Sequence, residues 1–325
     1  MSLDEVVKAY REKFITWKDA QEMRENGFKT GALHIHSAYS YDCPKQRSTL
    51  PHRIVMNAKK KGFDHVAITD HDNEDAWYNY SKHSWIRGIE VMLSDKTIGH
   101  PFEFNFLNIP DSSLTREIFC EAKKDAHRAV ELALDNGCTV IANHPFFTEE
   151  GTYDTKGYWD LVRAFNLPVE LNQKRNFVEN YKTFYNACRY NLPLVSASDD
   201  HTCKLAKIAT VAKGETEEEF LENVRNGNSY LVTSSSGLIE YTNTFIDYIQ
   251  AITRCSGKKI RGLKQDTSKI HWMVHTAESI ANNHYTKNWL AKKGAEKVVL
   301  GISGVFGACY YPYSLAKSLY RAIKS

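Results

Sequence analysis

The chain has 325 residues, of which 42% are hydrophobic and 25% charged, a composition typical of a globular protein with one large domain and an appendage, or with two domains. Its mean hydropathy of −0.48, and the lack of an apolar run long enough to cross a bilayer, exclude a transmembrane helix. The net charge is +3, but residues 240–325 carry 13 Lys and Arg against 5 Asp and Glu, which indicates a basic tail behind a mildly acidic body.

The N-terminus and the cysteines favour an intracellular protein. The first thirty residues contain acids and no apolar core segment, which argues against a secretory signal. The seven cysteines are scattered and form no CxxC pair, which argues against a disulfide framework or a zinc knuckle. We therefore expect reduced thiols and a cytoplasmic location.

Residues 31–233 alternate short β-branched runs with helical patterns, which is the rhythm of a parallel sheet or barrel. The predicted strands are ALHIH (32–36), HVAITDH (65–71), IRGIEV (86–91), FEFNFLNI (102–109), TVIANHP (139–145), PVELN (168–172), LPLVSASDDH (192–201) and SYLVT (229–233). The predicted helices between them span 49–60, 113–136, 159–166, 177–190 and 216–226.

The run SSSG at 234–237 is the best candidate for a domain boundary. We therefore expect a helical N-terminal segment over residues 1–27, a catalytic-size α/β domain over 28–235, and a basic, mainly helical C-terminal region over 236–325.

Ionisable residues gather where the predicted strands end. They are His34, His36, Asp70, His71, Glu90, His144, Glu170, Asp199 and His201. The carboxyl ends of successive parallel strands converge on one mouth of an α/β barrel, so we expect these side chains to meet there. His34 and His36 lie on one face of a strand, about 6 to 7 Å apart along it, which is close enough to bind one cation. Histidine and carboxylate donors without a thiolate suit zinc, manganese or iron, and their number predicts two or three divalent ions that share a bridging carboxylate.

The order of these motifs resembles the PHP family, the polymerase and histidinol phosphatase-type metal-dependent phosphoesterases. The matching motifs are His34-x-His36, Asp42, TDH ending at His71, GIE ending at Glu90, GH ending at His100, NHP with His144, and SDDH with Asp199 and His201. They cover roughly residues 28–233. The resemblance implies a distorted (β/α)7 barrel.

The resemblance also implies a trinuclear site. In it, His34, His36, Glu90 and Asp199 hold the first ion, Asp42, His71 and His201 the second, and Glu90, His100 and His144 the third. A metal-bridged water whose pKa falls towards about 7 then hydrolyses a phosphate ester. Asp199 and His201 are the candidates for moving the proton. The candidate substrate-binding cations are Arg87, Lys174, Lys204 and Arg175, the last because a guanidinium can grip phosphate with two hydrogen bonds.

Several alternatives stay open. Amidohydrolases also begin with HxH on a barrel, but they usually bridge their metals with a strand-end lysine, where this sequence has Glu90. A metal-stabilised binding module is a second alternative. The short span of 43 residues between His100 and His144 predicts an open mouth, which favours an extended substrate, or one held by another part of the chain, over a deeply enclosed metabolite. The candidate substrates are a small phosphate ester or a nucleotide-like molecule, or nucleic acid if the chain is a nuclease-like hydrolase that binds it through the basic C-terminal region. The basic tail suits docking or homodimerisation, contact with nucleic acid, or attachment to a membrane surface.

Overall fold

The computed structural model describes residues 3–80, 85–94, 96–146 and 156–233, together with Tyr248, residues 251–252, Cys255 and residues 259–264. The strands of its main sheet are β1 (Phe28–Ala32), β2 (His65–His71), β3 (Ile86–Leu93), β4 (Phe102–Leu107), β5 (Thr139–Ala142), β6 (Val169–Asn172), β7 (Leu194–Ala197), β8 (Ala209–Lys213) and β9 (Ser229–Val232). A separate hairpin pairs β10 (Lys259–Ile260) with β11 (Leu263–Lys264). The SSSG boundary and nearly all of the predicted helical tail lie outside the described residues.

Helices lie around this sheet and, in the case of the helix Glu217–Arg225, across one end of the barrel that the sheet forms. They are α1 (Leu3–Lys13), α2 (Trp17–Glu22), α3 (Pro51–Lys60), α4 (Asp75–Tyr80), α5 (Ser112–Glu121), α6 (Ala126–Asp135), α7 (Lys156–Ala164), α8 (Phe177–Tyr190) and α9 (Glu217–Arg225). None of the helices in the described part of the chain has the length and apolar character needed to traverse a bilayer.

The nine strands follow the order β7-β6-β5-β4-β3-β2-β1-β8-β9. Only β4 and β8 run against their neighbours, so the other seven strands point the same way. The two ends of the sheet approach each other where the Thr210 hydroxyl donates to the Ser196 carbonyl (3.1 Å) and the Ser229 hydroxyl donates to the Leu194 carbonyl (3.2 Å). The sheet is thus a nearly closed barrel, and the predicted distorted (β/α)7 architecture is confirmed.

One end of the barrel is filled with apolar side chains. Phe220 on α9 packs with the inward-facing residues Leu33, Ala67 and Val195. A Cβ on Gly31 would lie 2.5 Å from the Phe220 ring, so glycine is required there for α9 to approach. Because β8 runs against β1, the helix that follows β8 closes the amino-terminal end of the parallel strands. The opposite rim is left for polar groups.

Two sequence predictions need correction, and two elements were missed. The helix predicted over 113–136 is two helices, because Asp125 caps the start of α6 by accepting a hydrogen bond from the Arg128 backbone N–H. The first strand ends at Ala32, and the extended residues beyond it are held by a bridge between Ile35 and Asp200. Strand β8 and helix α4 were not predicted at all.

Candidate metal centre

Glu90 is the centre of a cluster at the carboxyl-terminal rim. Its Oε2 atom lies 3.1 Å from His34 Nε2, 3.2 Å from His36 Nε2 and 3.3 Å from His71 Nδ1. Its Oε1 atom lies 3.5 Å from His144 Nε2. One buried carboxylate therefore faces four imidazoles from three different parts of the chain.

Two aspartates extend the cluster on either side of Glu90. Asp199 Oδ1 lies 3.3 Å from both His36 Nε2 and His201 Nδ1. Asp42 Oδ2 lies 2.6 Å from His201 Nε2 and 3.3 Å from His71 Nε2. The structure thus brings together eight of the nine predicted ligands.

The loop after β7 is shaped to present these donors. Asp199 has a φ of 48°, in the left-handed region that costs a non-glycine residue free energy and that occurs at functional sites. The next carboxylate, Asp200, accepts hydrogen bonds from the backbone N–H groups of Thr202, Cys203 and Leu205. These bonds fix the turn that carries His201 into the cluster.

His100 is the predicted ligand that does not join the others. It lies partly exposed on the turn before β4, and among the described residues it belongs to no group of candidate metal donors. Glu103, three residues later, contacts the cluster instead. Its Oε1 atom is 3.5 Å from His71 Nδ1, and its Oε2 atom is 3.6 Å from His144 Nε2.

Glu170 holds His34 from behind. Its Oε2 atom lies 2.7 Å from His34 Nδ1, and Asn172 Nδ2 donates to its other oxygen at 2.5 Å. A carboxylate on one ring nitrogen leaves the other nitrogen directed at the cluster, which is how metal-binding histidines are commonly oriented. Asn143 Nδ2 donates to Glu90 Oε1 at 2.7 Å and restrains the Glu90 carboxylate in the same way. The sequence placed Glu170 at a strand end but gave it no role.

Two of the four predicted substrate-binding cations lie at the rim. Lys174 Nζ is 3.3 Å from Asp199 Oδ1 and 2.6 Å from His201 Nδ1, and Arg175 Nη2 is 3.6 Å from Asp199 Oδ2. Lys204 is exposed on the loop after His201.

Arg87 does not reach the rim. It is three residues from Glu90 on β3 and so faces the other side of the sheet, where it forms an ion pair with Glu74 and donates to the Ser112 hydroxyl at 2.8 Å. We therefore do not retain it as a substrate-binding residue.

Burial and charge act in opposite directions in the cluster, and charge prevails at most positions. Burial opposes ionisation of Glu90, but His34 and His71 hold the pKa of its carboxyl well below the usual range. Burial likewise opposes the charge on His34, yet Glu90 and Glu170 raise its pKa well above the ordinary value. His201 differs, because burial, reinforced by Lys174, lowers its pKa despite Asp42. A cluster of ionised carboxylates around imidazoles is suited to cations.

The exposure of the side chains shows from which side a ligand approaches. His34 and His36 are completely buried, whereas 16% of the Asp42 side chain and 18% of the Glu103 side chain are accessible. Tyr248, from the region after the SSSG run, packs edge-on against His201 and donates its hydroxyl to the Asp42 carbonyl at 2.6 Å. The C-terminal region therefore contributes a side chain to the open side of the cluster.

The donor set fits divalent ions. Four groups of side chains can each place ligand atoms within 4.8 Å of one another. They are His36, Asp42, His71 and His201; His34, His36 and Glu90; His71, Glu90 and Glu103; and His34, His144 and Glu170. Beside Glu90 on the neighbouring strand, both polar atoms of the buried Asn105 side chain have no hydrogen-bond partner among the described residues. Unsatisfied buried polar groups next to a donor cluster indicate bound water or ions.

No protein-family model matches the sequence, and no curated protein is similar enough in sequence to count as a relative. The chain is similar to the crystal structure of a two-domain protein from Bacteroides vulgatus that contains a predicted PHP-like metal-dependent phosphoesterase. The two chains are 16% identical with a TM-score of 0.51, over 69% of this chain and 70% of that one. The chain has the PHP-type fold. The fold predicted from the order of the motifs is therefore confirmed.

Two further solved structures are similar to the chain. One is a putative metal-dependent phosphoesterase from Bifidobacterium adolescentis, with 14% identity and a TM-score of 0.42 over 64% of this chain and 97% of that one. The other is a lesion-specific endonuclease from Pyrococcus furiosus, with 20% identity and a TM-score of 0.45 over 63% of this chain and 57% of that one.

Proposed function

We propose that this chain is a divalent-metal-dependent phosphoesterase that hydrolyses a phosphate ester at the rim cluster. The observation that carries the proposal is the position of Glu90, which faces four imidazoles within 3.5 Å while Asp42 and Asp199 complete the donor sets on either side. The PHP-type fold supports it, since the similar protein from Bacteroides vulgatus contains a predicted metal-dependent phosphoesterase of this kind.

The cluster has donors for two or three divalent ions, with zinc, manganese and iron as candidates. His34, His36, Glu90 and Asp199 form one set; Asp42, His71 and His201 a second; and Glu90, His144 and Glu103 a third, in which His100 was expected from the sequence. When bound, such ions provide a water of lowered pKa as the nucleophile and neutralise charge on the phosphoryl oxygens.

The residues at the open side bind the substrate and move the proton. Lys174 and Arg175 present cationic groups beside Asp199, where they can hold the non-bridging oxygens of a phosphate. Burial, reinforced by Lys174, lowers the pKa of His201 and so favours its neutral ring. His201 and Asp199, both at the rim, are the proposed proton carriers, and Glu170 and Asn143 orient the ligands.

The test is an assay of the purified chain with added manganese, zinc or iron(II) on p-nitrophenyl phosphate, its bis ester and a panel of amides. We expect cleavage of one or both esters. Cleavage of the amides alone would assign the site to carbon–nitrogen hydrolysis, and no cleavage of any substrate would favour a metal-stabilised binding module.

Two ligand variants connect activity to the cluster. His36→Ala and His144→Ala should each lower the bound metal and abolish turnover while the circular-dichroism spectrum stays unchanged. His127→Ala, on the outer helix α6, removes an imidazole far from the cluster and is the matched control. Full activity in either ligand variant would show that the residue is not a ligand.

A cytoplasmic location and a homodimer formed through the C-terminal region stay predictions.

A further inference from the structure

A cavity of about 400 Å³ shares no lining residue with the cluster and is lined by positive charge. Arg47 lies in the short 3-10 turn before α3 and Arg53 in the first turn of α3, and Lys259 and Arg261 come from the β10–β11 hairpin. His52 completes its polar lining. None of the described residues that line it is a carboxylate. We call this cavity the basic cleft.

The hairpin is fixed in place beside the barrel. The Arg261 guanidinium lies 5.1 Å over the Tyr80 ring and donates to its hydroxyl at 2.5 Å, and the His52 ring stacks on the same tyrosine at 5.2 Å. Arg261 and Gly262 both have positive φ, 49° and 83°, as a tight two-residue hairpin turn requires. The cations of the cleft are therefore held near one another by the fold.

Four like charges around one cavity repel each other, and a bound anion removes that cost. The cleft is larger than a single phosphate group, and it carries four cationic side chains. Both its size and its charge therefore suit a ligand with several phosphates.

The cleft lies close to the metal centre along the chain. Arg47 follows the candidate ligand Asp42 by five residues, a separation of at most about 18 Å even if the segment were fully extended. Tyr41, directly before Asp42 in the sequence, exposes 39% of its surface, and its ring lies 5.1 Å from that of the candidate ligand His71.

The Tyr39 ring, two residues before Tyr41, lies 6.2 Å from that of Tyr80, which contacts Arg261 and His52 of the cleft. A cationic groove together with an exposed aromatic ring is the pattern that binds unpaired bases and their backbone.

We propose that the basic cleft binds the backbone phosphates of a single-stranded nucleic acid, one phosphodiester of which lies at the metal centre. This inference rests on the proposed function, because it names the substrate class of the same site. A small polyphosphate confined to the cleft would make no use of Tyr41 or of the short distance to Asp42, so the observations favour a strand.

Binding is tested without turnover, using the full chain, a fluorescent twelve-nucleotide single strand and EDTA, with anisotropy recorded from 0.05 to 0.4 M salt. The variants are the pairs Arg47→Gln/Arg53→Gln and Lys259→Gln/Arg261→Gln. Each removes two phosphate contacts, so we expect affinity to fall about 25-fold at 0.1 M salt and the salt slope to decrease by about 1.4. The control pair Lys60→Gln/Lys124→Gln removes two exposed charges outside the cleft and should bind as the wild type does.

The outcomes separate this inference from the proposed function. Unchanged affinity in both cleft pairs, or an equal loss in the control pair, would overturn the inference. Inorganic tripolyphosphate that competes as tightly as the strand would identify a small polyphosphate as the ligand and would also overturn it. Turnover of the p-nitrophenyl esters should be the same in all four proteins, and its absence from the wild type would refute the proposed function whatever the binding result.

Discussion

Replacing Glu170 by glutamine tests whether the cluster is a metal site whose ligands are oriented from behind. The change keeps the volume of a completely buried side chain and removes its charge. In the native protein the two carboxylate oxygens receive one donor each, His34 Nδ1 at 2.7 Å and Asn172 Nδ2 at 2.5 Å. A glutamine has one amide oxygen for these two donors, and its NH2 group must face the other. His34 therefore loses either its partner or its fixed orientation.

The expected loss in metal affinity follows from this contact. Partners that orient a metal-bound histidine are worth about 10- to 100-fold in affinity, or about 1.4 to 2.7 kcal/mol. Because Glu170 is held to the rear nitrogen of His34, the number of ions bound at saturation should not change. Turnover should return when the free metal concentration is raised by the factor, about 10- to 100-fold, by which the metal affinity has fallen.

Metal content after equilibration in a series of buffered free-metal concentrations gives both affinity and stoichiometry. Glu74→Gln is the matched control, since it removes a largely buried carboxylate that pairs with Arg87 away from the cluster. That variant should lose stability but keep its metal affinity. Unchanged affinity in Glu170→Gln would refute the orienting role, and the loss of a whole ion would make Glu170 a direct ligand.

Three further predictions concern the cluster and the barrel. Glu103→Gln should lower bound metal and turnover, while His100→Ala should change neither. Loss of an ion from the His100 variant alone would show that His100, and not Glu103, belongs to the third donor set. Phe220→Ala should reduce the free energy of unfolding in urea by about 3 to 5 kcal/mol, because Phe220 fills one end of the barrel, and the metal bound per folded molecule should not change. A loss below about 1 kcal/mol would contradict that packing role. Burial lowers the pKa of His65, so its folded form binds a proton less readily than the unfolded chain does. Its contribution to stability is therefore lost as pH falls from about 6.5 through the lower folded value, and His65→Gln should lose less stability between pH 7.5 and 5.5 than the wild type.

The sequence was sufficient to predict the fold because local residue patterns mark where many of its strands and helices begin. Pro51 begins α3, and the capping box formed by Thr216 and Glu219 begins α9, both as predicted. The strand-end rule also predicted that residues far apart in the sequence would meet, and His34 and His144 do lie within one cluster. Each of these inferences depends on local patterns or on the geometry of parallel strands.

What the sequence did not predict depends on contacts between distant segments. Arg87 lies on the same strand as Glu90, but it stands near the start of β3, and the alternation of side chains turns it towards Glu74 on the outer surface. No local pattern indicates that Tyr248, more than two hundred residues after Asp42, would donate to the carbonyl of that residue. Such contacts are set by the packing of whole elements.

The omission of Glu103 has a different cause, which is the direction of β4. Because β4 runs antiparallel to both of its neighbours, its amino-terminal end lies at the rim where the parallel strands have their carboxyl-terminal ends. A search confined to carboxyl ends therefore passes over Glu103. The alternation in FEFNFL does contain the signal, since three phenylalanines on one face of the strand leave Glu103 and Asn105 on the other. In a barrel with a reversed strand, polar residues opposite an aromatic face are candidate ligands at the start of that strand, and the contacts of Glu103 with His71 and His144 follow from this geometry.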